Sequence, residues 1–289
     1  MKIILFSRPQ PLRSAEELQK LIESIEHYGF DYAVNEEFAT MIESVLGLSI
    51  SPERRYGYTI GKEPAESVMV CYGGDGTLLE GIHRLDGAAI PVVGINSGHL
   101  GFLATAPKDS IDLIFKDIRD GNLKIEKRTM LALEGLEDGK VHYALNEVAI
   151  QRLDATMINI KAHIDGQMTA SYFGNGVILS TPTGSTAYSL SAGGPIVTPA
   201  CNCLVLSPLT PHNLTMRPLV IPDTSTVKFE VDTRRRPASV SLDNRTYEIE
   251  DNTTLVVRRA ERVVFLAVPH NISFYDTLRN KMMWGVDVR

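Results

Sequence analysis

What this 289-residue chain lacks narrows its chemistry before any motif is read. It has no excess of basic residues. Lys and Arg number 29 against 35 Asp and Glu, a formal net charge of -6, so no overall positive field draws nucleic acid or an anionic membrane. It has no apolar run that approaches a membrane span. The apolar stretch in the opening "MKIILFSRPQP" is too short for a signal-peptide core, and an arginine and prolines follow it directly. The expectation is a cytoplasmic protein whose first residues form a strand. Cysteine is scarce: Cys71 sits in an apolar run, while Cys201 and Cys203 are too close together for a usual zinc pair and lack partners. All three read as buried thiols. Without secretion, glycosylation triplets such as Asn213-Leu-Thr215 carry no meaning. Long-period repeats and low-complexity segments are also missing.

What is present is an ordinary globular composition, 44% hydrophobic and 22% charged, enough for about two domains. After the first strand, Ser14 and Glu17 make a capping box. Leu18, Leu21, Ile22 and Ile25 then recur at helical spacing, and Gly29 can close the helix in a left-handed conformation. Apolar runs at "DYAVN", "SVMVCY" and "AIPVVGI" alternate with helical segments near 36–46 and 77–85, the signature of a parallel sheet. From about residue 125 the period shortens to two. In "MINIKAHIDGQ", Ile158, Ile160, Ala162 and Ile164 alternate with polar neighbours before the hairpin signal Asp165-Gly166, and "TVKFEVD", "ASVSLD" and "TTLVVRRAERVVFLAV" behave alike. The expected fold is an α/β, Rossmann-like N-terminal domain with a parallel sheet, residues 1–123, followed by an all-β, sandwich-like domain, residues 124–267. Arg234, Arg235 and Arg236 read as a solvated loop, with phosphate binding as the alternative.

The stretch "VMVCYGGDGTLLEG" carries the first chemistry. A buried strand ends at Gly73 and Gly74, where an open parallel sheet presents its carboxyl edge, and Thr77 is expected to begin a helix. Glycines let the backbone approach a phosphate group and offer it N–H groups. Asp75 beside such a cradle repels phosphate unless it holds a metal or accepts a proton from a hydroxyl about to be phosphorylated. A Gly-Asp-Gly turn can also simply link strand to helix. The Walker pattern is incomplete throughout, and Leu79 occupies the place of the third glycine of a dinucleotide fingerprint.

Three further stretches have physical readings of their own. In "GINSGHLGFL", residues 94–103, glycines again follow a strand, and Phe102 can pack on a ligand ring or in the core; His99 reads as structural. In "LNEVAI", Asn146 and Glu147 interrupt an apolar strand, which is costly unless both find partners. In "STPTGSTAYSLSAGGPIV", residues 180–197, hydroxyls at Thr183, Ser185, Thr186, Ser189 and Ser191 can bond polar ligand groups, and Tyr188 adds a stacking surface. A capped loop leading into a helix is the alternative.

Together these four stretches resemble the NAD kinase family, and the resemblance extends to "FYDTLRNKMMWG" near the end. It implies transfer of the terminal phosphate of ATP, or of another phosphoryl donor, to the 2'-hydroxyl on the adenosine ribose of NAD, giving NADP. It also implies that Asp75 activates that hydroxyl and that Asn146 and Glu147 form the NAD-binding pair. Gly76, Phe102, Thr183, Thr186, Ala187, Tyr188 and Ser191 would line the dinucleotide site, with Asn175 at its nicotinamide half. The donor's phosphates would lie over Gly73, Gly74 and Thr77, and Mg2+ or another divalent cation would arrive with ATP rather than on protein ligands. The family's nucleotide domain is completed by the returning chain end, here 268–289, and its members form homo-oligomers, dimers or tetramers. Two departures stand out: Asn175 where relatives often carry aspartate, which puts preference between NAD and NADH in doubt, and Asn244 where they often carry glycine, expected to be a turn variant. Diacylglycerol and sphingosine kinases share the "GGDGT" loop but lack "LNE" joined to "TPTGSTAY". A non-catalytic NAD(P)-binding sensor is the other competing reading.

Overall fold

The computed structural model describes residues 1–9, 14–60, 66–98 and 100–285. His99 lies outside them. The chain forms two compact units, Met1–Lys127 with Val264–Arg289, and Arg128–Val263.

The first unit begins with β1 (Lys2–Phe6), α1 (Ala15–His27), β2 (Asp31–Asn35), α2 (Glu36–Leu46), β3 (Arg55–Tyr56) and β4 (Ser67–Tyr72). It continues through α3 (Asp75–Arg84), β5 (Val92–Asn96), β6 (Ala106–Pro107) and α4 (Ile111–Asp120). Its strands run parallel in the order β3-β2-β1-β4-β5, with Ile4 opposite both Ala33 and Met69 and Val70 opposite Val93. The central strands are buried along almost their whole length, as continuous apolar runs such as "IILF" require when both faces of a sheet are covered. α1 turns Leu18, Leu21, Ile22 and Ile25 inward, Ser14 caps it by accepting the Glu17 N–H, and Gly29 follows in the left-handed region at φ 69°. The helix after "CYGG" begins at Asp75 rather than at Thr77, with Gly74 as its N-cap. A Cβ on Gly81 would lie 2.4 Å from Cys71 Sγ, so the glycine lets α3 sit close on β4. Burial pushes the Cys71 thiol far above its ordinary range, leaving it inert.

The chain then supplies β7 (Leu123–Glu134), β8 (His142–Ala144), β9 (Glu147–Arg152), β10 (Ile158–Ile164), β11 (Gln167–Gly174), β12 (Gly176–Ser180) and the single turn α5 (Tyr188–Ser191). After these come β13 (Cys203–Leu209), β14 (Leu219–Pro222), β15 (Val227–Asp232), β16 (Ala238–Leu242), β17 (Arg245–Ile249), β18 (Thr253–Pro269) and α6 (Phe274–Met282). In the second unit one antiparallel sheet has the order β14-β13-β12-β9-β16-β17, and β11-β10-β15-β18 with β7 and β8 make the other. Val148, Ile150, Val177 and Leu179 of the first sheet and Ile160, Ala162, Phe229 and Leu255 of the second share one core, which makes the unit a β-sandwich. Asp165 and Gly166 both take positive φ, 51° and 81°, as the tight turn between β10 and β11 demands.

The units divide inside β7 and β18, after Lys127 and before Val264, and no loop signal marks either place. Leu266 of β18 pairs in parallel with Val92, and α6 belongs to the first unit. Cys201 is exposed and Cys203 half-exposed, contrary to the expectation of buried thiols, because they flank the entry to β13 instead of its interior. Arg234 lies in a turn with its guanidinium 4.9 Å over the Phe173 ring. No helix among the described residues is long and apolar enough to cross a membrane.

Candidate active site

In the first unit the site is built on the end of β4. Gly73 has φ 157° and donates its N–H to Ile95 O at 2.9 Å; a Cβ on it would meet Thr77 Oγ1 at 2.4 Å. Only glycine lets α3 start that tightly on the strand's end. Nothing lies within 4 Å of where a Gly74 Cβ would be, so the backbone at the helix N-terminus faces open space. Beside it, Arg8 Nε binds Glu80 Oε2 at 2.5 Å, and its guanidinium stands 3.1 Å from a Cβ position on Gly76.

Asp75, the first residue of α3, points back toward the "GINSGHLGFL" loop. Its Oδ1 accepts the N–H groups of Leu103 at 3.0 Å and Ala104 at 2.9 Å, and its Oδ2 accepts that of Phe102 at 2.9 Å. Three amides in succession are thus organised by one carboxylate. Gly101 is required by this contact, since a Cβ there would stand 1.9 Å from Oδ1. With two donors on Oδ1 and one on Oδ2, a lone pair of Oδ2 remains available. Lys281 Nζ lies 3.8 Å from that same oxygen and 5.0 Å over the Phe102 ring, which in turn packs 6.0 Å from Phe274. Phe102 is therefore half-buried against α6 while its backbone holds Asp75.

In the second unit the site gathers around the start of β9. Asp243, in the β16–β17 turn at φ 52°, accepts from the N–H groups of Leu145 at 2.8 Å, Asn146 at 2.7 Å and Glu147 at 3.2 Å. This fixes "LNE" from across the sheet, and it gives the second unit the same motif as the first: one carboxylate gripping three consecutive amides. Thr181 fastens the other side, its N–H reaching Asn146 O at 2.8 Å and its hydroxyl Leu145 O at 2.6 Å. Gly184 is needed because a Cβ would lie 2.2 Å from Asn146 O.

The outcome is two buried acceptors, Asn146 Oδ1 and Glu147 Oε2, without a hydrogen-bond partner among the described residues. Burial pushes the Glu147 carboxyl up to about 8, the nearby Asp243 charge adds to the shift, and the Tyr188 N–H opposes it. Loss of solvation raises Asp243 as well, against its three amide donors.

Of the expected hydroxyls in the "TPTGSTAYSLS" stretch, Ser185 and Ser189 are used internally. Both are fully buried; Ser185 Oγ donates to Pro182 O at 2.7 Å and accepts the Val197 N–H at 3.0 Å, while Ser189 pairs with Ser207 at 3.1 Å. Thr183 is buried, Thr186 and Ala187 are half-exposed, and Ser191 is exposed. Tyr188 is 39% exposed and donates its hydroxyl to Gln151 at 3.2 Å. Asn175 joins β12 to β9 and β13 through its backbone, between two glycines whose Cβ positions would strike neighbouring main chain. Asp243, Gly101 and Lys281 escaped the sequence reading. Asp243 carried a turn signal in "LDN" and Gly101 a glycine after a strand, but no residue spacing showed what either would touch.

The N-terminal part, residues 14–123, matches the model of the ATP-NAD kinase N-terminal domain, and residues 145–268 match that of the ATP-NAD kinase C-terminal domain. A protein of Christiangramia forsetii named NAD kinase is 35% identical over 297 residues, covering 100% of both chains, and one of Cytophaga hutchinsonii is 35% identical over 294 residues with the same coverage. Among solved structures, the yeast NADH kinase complexed with NADH superposes with a TM-score of 0.85 at 22% identity. That match covers 100% of this chain and 89% of the other. An NAD kinase from Archaeoglobus fulgidus in complex with ATP gives a TM-score of 0.74 at 21% identity, covering 98% and 99%. The two matched regions and the full-length relatives point the same way, and the lipid-kinase alternative falls: this chain belongs to the NAD kinase family.

Proposed function

We propose that this chain converts NAD to NADP by moving the terminal phosphoryl group of ATP, or of another donor, onto the 2'-hydroxyl of the adenosine ribose. The observation that carries the reading is the pair of buried acceptors, Asn146 Oδ1 and Glu147 Oε2, held in place by Asp243 yet left without protein donors. Sugar hydroxyls and an adenine amino group are donors of the right kind. Thr183, Thr186, Ala187, Tyr188 and Ser191 then line the dinucleotide, and Asn175 meets its nicotinamide half without a charge.

The proton of the 2'-hydroxyl passes to Asp75 Oδ2, the oxygen with a lone pair to spare. As the O2'–P bond forms, the bond from phosphorus to the bridging oxygen breaks, and ADP leaves with that electron pair. A carboxylate is a weak base toward an alcohol, so proton transfer accompanies phosphoryl transfer instead of preceding it. The Gly73 and Gly74 backbone, with Thr77 behind it, receives the donor's phosphates at the start of α3. Asp75 already accepts three amides and keeps one lone pair for the hydroxyl proton, which suits a divalent cation carried by the donor's phosphates better than one held by protein carboxylates. Such a cation, Mg2+ among others, neutralises phosphate charge. Homo-oligomeric assembly and a cytoplasmic setting complete the reading.

Incubation with NAD, ATP and Mg2+, with NADP detected by a dehydrogenase that accepts only NADP, tests this. NADP accumulation is expected; folded protein that makes none would overturn the kinase reading and leave the sensor. Running NADH against NAD, in the native chain and in Asn175→Asp, reads out the nicotinamide contact.

A further inference from the structure

Building on the kinase reading, we propose that Lys281 is a catalytic residue whose ammonium group binds the non-bridging oxygens of the phosphoryl group during transfer. α6 is a well-anchored carrier for it. A capping box between Ser273 and Asp276 fixes its start, and Thr277 and Leu278 are buried in its middle. Phe274 and Lys281 stand two turns apart on one face, and both meet Phe102. The ammonium is thereby held 3.8 Å from Asp75 Oδ2, beyond the 2.7–2.9 Å of a charge-assisted hydrogen bond. It makes no hydrogen bond among the described residues, so its three donors are free to meet an incoming oxygen.

The charge changes during the reaction explain the placement. When Oδ2 takes the hydroxyl proton, Asp75 loses its negative charge, and the arriving phosphoryl group, bonded to the oxygen that released that proton, brings negative charge close by. A cation already beside Oδ2 then loses its attraction to Asp75 and gains one to the phosphoryl oxygens, with no rearrangement of the fold. It keeps its own proton throughout. Arg8 is poorly placed for this role: Glu80, which also binds Arg84, holds it, and it stands beside Gly76 rather than at Oδ2.

The test is Lys281→Met, which keeps the apolar stem over Phe102 and removes the charge from a side chain already 36% exposed. Turnover of NADP is expected to fall about 100-fold, the typical effect of removing one preorganised donor. Thermal midpoint and NAD affinity by calorimetry should stay close to those of the unaltered protein. Methylammonium added to the variant should restore part of the lost turnover without accelerating the unaltered enzyme, and Lys281→Arg should exceed Lys281→Met. Turnover of Lys281→Met within threefold of the unaltered protein overturns the proposal. So does a fall in turnover matched by an equal loss of NAD affinity and unresponsive to the amine. Turnover of the unaltered enzyme is measured alongside, so failure of the kinase reading shows itself separately.

Discussion

Asp75 and Glu147 are both carboxylates beside an apolar strand, and the two units treat them in opposite ways. Asp75 is itself the organiser, gripping the amides of Phe102, Leu103 and Ala104, 30% exposed and facing a lysine. Glu147 is organised from outside: Asp243 grips its amide and two before it, so that Glu147's side chain is buried, short of donors and pushed up to about 8. A carboxylate so placed has hydrogen-bond partners on both of its oxygens. One deprived of them keeps its proton and waits for a ligand to complete its hydrogen bonding. On the proposed reading the same side-chain chemistry serves as base in one unit and as recognition group in the other, and the depth of burial separates the two.

Asp75→Asn breaks the comparison most severely. NADP formation should fall between roughly 100- and 10,000-fold, while NAD affinity by calorimetry stays within a few-fold. Near-normal turnover would place the base elsewhere. Asp243→Ala attacks the organiser of the second unit and leaves three amides without their acceptor. A loss of about 2 kcal/mol in urea unfolding is expected, with NAD affinity at least about tenfold weaker. An unchanged affinity would mean that "LNE" holds its shape unaided.

Glu147→Gln sharpens the comparison through pH. The folded carboxyl at about 8 lies above its ordinary 4.5, so between these values the folded chain holds a proton that the unfolded chain has released. Stability of the ligand-free protein from this group is therefore full below 4.5 and declines as pH rises toward 8. Glutamine cannot ionise, so the variant should show a shallower drop in thermal midpoint from pH 6 to 8.5, by roughly 3 °C. Parallel curves for both proteins would refute the burial argument. Tyr188→Phe should matter least: the lost bond to Gln151 is exposed, and stability should change by less than about 0.5 kcal/mol.

The strands, the amphipathic helices and the change from helical spacing to strict alternation were legible because each depends on local spacing. The hairpin at Asp165-Gly166 and the left-handed Gly29 were legible for the same reason. Within the site, the sequence pointed to Asp75 as a charge beside a glycine cradle that would otherwise receive phosphate, and to Asn146 and Glu147 as polar groups that an apolar strand tolerates only with partners. In the hydroxyl loop it did not separate Ser185 and Ser189, which are used internally, from Thr183 or Thr186, since they look alike until the residues packed around them are known. It misplaced Cys201 and Cys203 because whether a strand's first residue is buried depends on what covers it.

The order of residues alone determined where each period begins, where the hairpin and helix-closing glycines stand and which stretches resemble the NAD kinase family, because these are properties of neighbours along the chain. Only the tertiary structure decided what those motifs touch. Asp243 reaches amides nearly a hundred residues before it, and Lys281 reaches an aspartate from the opposite end of the chain. Such contacts are set by strand order and helix return, and no local pattern encodes a distance across a fold.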